Sequence, residues 1–168
     1  MKNFMEILVI MVLSIIIFIQ YQNESKSLVP ITISNVTNTE KDNPVSRKLN
    51  SIGVPSNPRL VSAICFASQQ YNISEDLIIS ITWTESNFKE RAVSCKGYNG
   101  LMQIPHKVFQ EDANVLIGTK ILREKMKIAN GDMTKAILLY KGYPLDSARG
   151  HQQVKKVFSL YHKLKTIT

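Results

Sequence analysis

Among the side chains able to do chemistry, Glu85 stands out by its place. It shares a helical face with Leu77, Ile78 and Ile81 and falls in the last turn before Ser86 and Asn87. Apolar surroundings, the negative end of the helix dipole and partial loss of solvent all favour the protonated carboxylic acid at such a position. A carboxylic acid of that kind can donate a proton to a leaving oxygen. On spacing alone, an exposed glutamate at a fraying helix end explains the same residue. Glu90, Glu111 and Asp112 could supply a second carboxylate, but none shares the face of Glu85 and all three read as surface residues. His106, His151 and His162 show no metal-ligand spacing with one another or with Cys65 and Cys95, so neither a metal nor a cofactor is expected.

The elements that must position Glu85 are helices. Leu60, Ile64, Ala67 and Tyr71 recur at helical spacing after Pro58, a residue suited to a first helical position. Asn72-Ile73 interrupts the pattern. Ser74 then caps a second helix whose first turn carries Glu75 and Asp76. Leu116, Ile121, Leu122 and Met126 mark an amphipathic helix over 114–128, stopped by Asn130-Gly131. A short apolar helix covers 134–140 and ends at Gly142 and Pro144. Val154, Val157, Phe158, Tyr161 and Leu164 form the closing helix. No useful length alternates with a strand period, so the expected fold class is all-α.

Before this domain lie two different segments. Residues 7–19 read ILVIMVLSIIIFI, about 20 Å of helix, short for a bilayer and closer to a signal-peptide core. Residues 1–21 fit both a cleaved signal and an uncleaved anchor in the inner membrane. Residues 22–57 are rich in Asn, Ser, Thr and Pro and read as a flexible linker. The helical domain is expected over 58–168. It holds sixteen Lys and Arg against nine Asp and Glu, and the whole chain carries a formal net charge of +8. That balance suits a polyanionic partner without choosing among nucleic acid, anionic lipid and cell wall. A basic surface kept for solubility gives the same count.

The text after Glu85 carries a resemblance. Glu85-Ser86-Asn87-Phe88, then Ala92-Val93-Ser94, then Gly100-Leu101-Met102-Gln103-Ile104 resembles the family-1 lytic transglycosylases, whose domain is related to goose-type lysozyme. The resemblance continues through Asn114-Val115-Leu116-Ile117-Gly118 and Leu122, through Ala136 to Tyr140 and Gly142, and through Val154, Val157 and Tyr161. It covers about residues 58 to 165 in order. Departures are Lys141 where the family usually has Asn, an early Gly142, the Arg149 to Val154 segment, and Cys95 where Pro is frequent.

The resemblance implies a lysozyme-like fold and a single catalytic carboxylate. Glu85 would protonate the glycosidic oxygen between N-acetylmuramic acid and N-acetylglucosamine. It would then take the proton of the muramoyl C6 hydroxyl as that oxygen attacks C1, closing a 1,6-anhydro ring without water. Ser86, Gly100, Met102, Gln103 and Tyr140 would serve substrate: Gly100 by close backbone approach, Gln103 by amide hydrogen bonds, Met102 as an apolar wall, Tyr140 by orienting Glu85. Helix capping and core packing are equally good readings of Ser86, Leu101 and Met102. A hydrolytic muramidase and a non-catalytic glycan-binding scaffold are the competing functions. Partners would be peptidoglycan strands, the inner membrane for an anchored form, and, by analogy of size, a secretion, conjugation or flagellar apparatus; nucleic acid is not expected. The location would be the cell envelope, in the periplasm. In that oxidising compartment Cys65 and Cys95 could pair across a loop of about 30 residues. A buried Cys65 with a free Cys95 is the alternative.

Overall fold

The computed structural model describes residues 43–167; the apolar run at 7–19 and the linker up to residue 42 lie outside them. Six helices make up the described part: α1 Pro44–Ser51, α2 Pro58–Tyr71, α3 Glu75–Ser86, α4 Glu111–Ile128, α5 Met133–Tyr140 and α6 Ala148–Lys165. No strand is formed among these residues, and the all-α expectation is met.

α3 is the centre of the domain. Leu77 through Thr82 are each buried, so this helix is enclosed on all sides rather than on one stripe. A polar side chain at such a depth must find a partner. The hydroxyls of Ser80 and Thr82 donate to the carbonyls of Asp76 and Ile78, at 2.6 and 2.8 Å. α2, α6 and α1 pack around it. α4 lies along α2, α5 returns on α4, and α6 closes against both α3 and α5. Where α5 meets α6, a β-carbon on Gly150 would come within 2.7 Å of Leu138 Cδ2 and 2.8 Å of Tyr143 Cβ, so glycine permits that close approach.

The helix starts follow local capping chemistry. The side chains of Asn57, Ser74, Asp132 and Ser147 accept the backbone N–H of Leu60, Leu77, Lys135 and Gly150. α2 and α3 both end on an asparagine in the left-handed conformation, Asn72 (φ 50°) and Asn87 (φ 51°). α4 begins at Glu111, three residues before the position that apolar spacing indicates, and brings Glu111 and Asp112 into its first turn.

α1 is a correction. Within the stretch read as linker, Asn43 accepts the Val45 N–H at 2.8 Å, Pro44 opens a helix, and Val45 and Leu49 are wholly buried in the core. Lys48 pairs with Asp76 of α3 at 2.7 Å. Two apolar residues one turn apart are too short a pattern to show as periodicity in a stretch rich in Asn and Ser, and tertiary contact stabilises the helix.

Candidate active site

The loop between α3 and α4, residues 87–110, is built on backbone pairing rather than on a sheet. Asn99 exchanges hydrogen bonds with Ile104, N to O at 2.9 Å and 3.0 Å in return, and the Gly100 N–H donates to Ala92 O at 2.8 Å. The loop is then fastened from three helices. From α3, the Ser86 hydroxyl donates to Leu101 O at 2.7 Å. From α4, the fully buried Asn114 accepts the Met102 N–H at 2.8 Å and donates to Asn99 O and Val108 O at 3.1 and 2.6 Å. From α5, the Tyr140 hydroxyl donates to Met102 O at 2.7 Å. Burial, then the charge of Glu85, hold the Tyr140 phenol well above its ordinary range, so it keeps the proton this bond requires.

Glu85 projects from the last turn of α3 into the space between this loop and the end of α5. Its Oε1 accepts from Lys141 Nζ at 2.6 Å, with side-chain exposures of 16% for Glu85 and 7% for Lys141. The carboxyl therefore faces a shielded ammonium, which the sequence reading did not include. The Tyr140 phenol, expected to hydrogen-bond near Glu85, donates to Met102 O, and the hydrogen-bonded partner of the carboxyl is Lys141, one residue later. Immediately after Glu85 and Ser86, both Asn87 and Phe88 have positive φ, 51° and 59°. For a bulky aromatic residue this is a costly conformation, and it turns the chain sharply away from the end of α3.

The remaining residues indicated by the sequence gather here, in different roles. Ser86 is buried and spends its hydroxyl on Leu101 O and Thr82 O. Met102 presents no side-chain surface to a groove. It packs on Gly118, where a β-carbon would come within 2.5 Å of its Cβ, and its sulfur accepts from the Thr119 hydroxyl at 3.7 Å. Gly100 (φ +77°) is buried, and a β-carbon there would overlap Asn114 Nδ2; the close approach it permits in this structure is to a side chain of α4. The Gln103 side chain donates to Gly100 O at 2.9 Å and Ala92 O at 3.2 Å, holding the loop closed.

Asn114 and Gly118, one turn apart on α4, are the residues that sequence reasoning passed over. The family resemblance runs through both without giving either a role, although an asparagine on the buried side of an amphipathic helix is itself a signal that a backbone loop must be satisfied there.

The carboxylates set aside as surface residues also turn out to be organised. Glu111, half-buried, accepts from Asn57 Nδ2 at 3.2 Å, and burial followed by a hydrogen bond with Glu90 pushes its carboxyl up. The pair lines a cleft of about 490 Å³ with Asn57, Arg59, Arg91, Phe109 and Gln110. An adjoining cleft of about 370 Å³ is lined by Trp83, Asn87 and Phe88 among others, so Trp83 packs on the core with one side and borders solvent with the other. Glu85 lines neither cleft. Among the described residues no group of three His, Cys, Asp or Glu is arranged to hold a metal ion. Cys65 and Cys95 are both free, the first half-buried and the second exposed.

Residues 62–157, more than half of the chain, match the family model described as the transglycosylase SLT domain. The matched stretch runs from α2 into α6 and includes Glu85, the 87–110 loop, Asn114 and Lys141.

Proposed function

The chain belongs to the transglycosylase SLT domain family, of lytic transglycosylase, lysozyme-like type, and from that membership we propose that it cleaves the β-1,4 bond between N-acetylmuramic acid and N-acetylglucosamine with Glu85 as acid and then base. The family acts on peptidoglycan in the cell envelope. The observation that carries the finer reading is the position of Glu85: a partly exposed carboxyl at the end of the central helix, inside the matched region, beside a loop tied down from three helices.

In this reading a proton passes from Glu85 to the glycosidic oxygen as the C1–O bond breaks. The muramoyl C6 oxygen bonds to C1, and its proton returns to Glu85. One group can serve both steps because no water has to be activated, unlike ordinary glycosidases with their two carboxylates. The loop supports the role by preorganisation: bonds from Ser86, Asn114, Tyr140 and Gln103 fix the backbone that follows the helix carrying the acid. Membrane attachment through residues 1–21, a periplasmic location and service to an envelope-spanning apparatus are finer proposals that rest on the sequence alone.

The second reading, glycan binding without cleavage, draws support from one observation, the ammonium of Lys141 seated on the acid. Mass analysis of muropeptides released from purified sacculi separates the readings. Products one water lighter than muramidase fragments and resistant to borohydride are expected. Reducible ends identify a muramidase, and intact sacculi with bound protein identify a scaffold.

A further inference from the structure

The two clefts that Glu85 does not line adjoin, sharing Asn57, Glu90 and Glu111. Trp83 borders them and lies two residues from Glu85, about 200° around α3, so this trough opens away from the acid. Its two ends differ in chemistry. One is apolar, with Leu60, Trp83 and Phe88 on its walls, and Phe88 is held there at φ 59°, a costly backbone for a bulky residue. The other carries the guanidinium groups of Arg59 and Arg91. Arg59 is paired with Asp112 at 3.0 Å, whereas the exposed Arg91 side chain makes no hydrogen bond or ion pair among the described residues. Between the ends, the carboxyls of Glu90 and Glu111 are hydrogen-bonded to each other. Two carboxyls in contact need a proton or a cation between them. Asn57 Nδ2 donates to Glu111 at 3.2 Å and fixes its position, and burial followed by the contact with Glu90 pushes the Glu111 carboxyl up, as expected of a place short of positive charge.

We propose that this trough is a second binding site, apart from Glu85, for a peptide bearing a free ammonium and a free carboxylate, and that the peptide is the stem of peptidoglycan. The ammonium replaces the proton between Glu90 and Glu111. The carboxylate accepts from Arg91, whose planar fork matches it. The aliphatic part of the peptide lies against Trp83 and Phe88. A stem peptide joins a free amine on its diamino acid to free carboxylates, and a chain whose family acts on peptidoglycan meets it on the glycan strand itself. Held there, the stem grips the wall without occupying the place of cleavage. This inference rests on the reading that the chain works on peptidoglycan, and not on Glu85 as the acid.

Trp83 is the single tryptophan of the chain, so its fluorescence reads occupancy of the trough without any activity. The intact protein is titrated with a stem tetrapeptide, its N-terminus acetylated as the lactyl group blocks it in the wall and its diamino acid left free. A saturable change is expected, with half-saturation on the order of 1 mM or below. Arg91→Gln and Glu111→Gln should each weaken binding about fivefold or more. Acetylating the side-chain amine of the peptide should weaken binding to the parent by a similar factor and cost Glu111→Gln little further. Glu85→Gln should bind as the parent does. No saturable change in the parent overturns the proposal, as does equal affinity for the parent, Arg91→Gln and Glu111→Gln with circular dichroism showing all three folded. An ordinary L-peptide with a free lysine and C-terminus that binds as tightly overturns the stem assignment and makes this a site for protein termini. Saturation by calcium chloride with none by the peptide also overturns it. If the stem binds while sacculi release no fragments, the cleavage reading fails and this site stands. Fragment release by a chain that binds no stem has the opposite meaning.

Discussion

The side chain of Asn114, on α4, fills the space that a β-carbon on Gly100 would need, and the same side chain holds the backbone of residues 99, 102 and 108 through three hydrogen bonds. One buried amide thus substitutes for the sheet that a 24-residue loop would otherwise need to become rigid.

Asn114→Ala leaves the Met102 N–H and the Val108 carbonyl without these partners, while Asn99 O keeps the Ile104 N–H, and a loss of about 2 to 3 kcal/mol is expected. Gly100→Ala suffers both the overlap and a left-handed backbone, and should cost about 2 kcal/mol or more. Chemical denaturation reads both. A change below about 0.5 kcal/mol in either would mean that the loop is not held through this contact.

Glu85→Gln is expected to lower fragment release by about 100-fold or more, because an amide cannot cycle a proton. The structure adds a stability cost. Lys141 keeps an acceptor but loses the opposing charge in a shielded place, which should cost about 1 to 2 kcal/mol. Glu85→Gln with Lys141→Asn should recover most of that loss without recovering activity. Additive stability changes in this double-mutant cycle would show the two residues uncoupled.

Removing α1 should weaken the domain. A fragment of residues 58–168 lacks Val45 and Leu49, both wholly buried, and is expected to be about 3 kcal/mol less stable than residues 43–168. Matching thermal midpoints for the two fragments would show α1 dispensable.

Glu111 makes a pH signature. Burial first and Glu90 second hold its carboxyl above the ordinary value near 4.5, so the folded state binds its proton more tightly than the unfolded chain. That contribution to stability is complete below the unfolded value and is lost as pH rises through the folded one. Much of the group faces solvent, so the effect is small. Glu111→Gln should flatten the fall in stability from about pH 4.5 upward; an unchanged slope across that window would contradict it.

Both thiols should be countable in unreduced, denatured protein. In the folded state Cys95 should react with a thiol reagent first, since Cys65 is half-buried and burial, then Glu75, hold its thiol up. A single disulfide in protein exported under oxidising conditions would overturn this arrangement.

Much of the fold is written locally. Apolar spacing of three and four residues, with Ser74 as cap and Asn130-Gly131 as stop, marks α2 through α6 to within a few residues, because periodicity and capping act inside one or two turns. The same local reading puts Glu85 in the last turn of α3 and, through the motifs that follow, leads to the family. Only the tertiary structure decides what meets what. It turns Met102 inward, gives Asn114 its three backbone partners, makes a helix of Pro44–Ser51 by burying two side chains, and carries Lys141 across 56 positions onto the acid. Those outcomes depend on which helix surfaces pack together, and the contacts that choose them join residues far apart in the chain, where no local spacing records them.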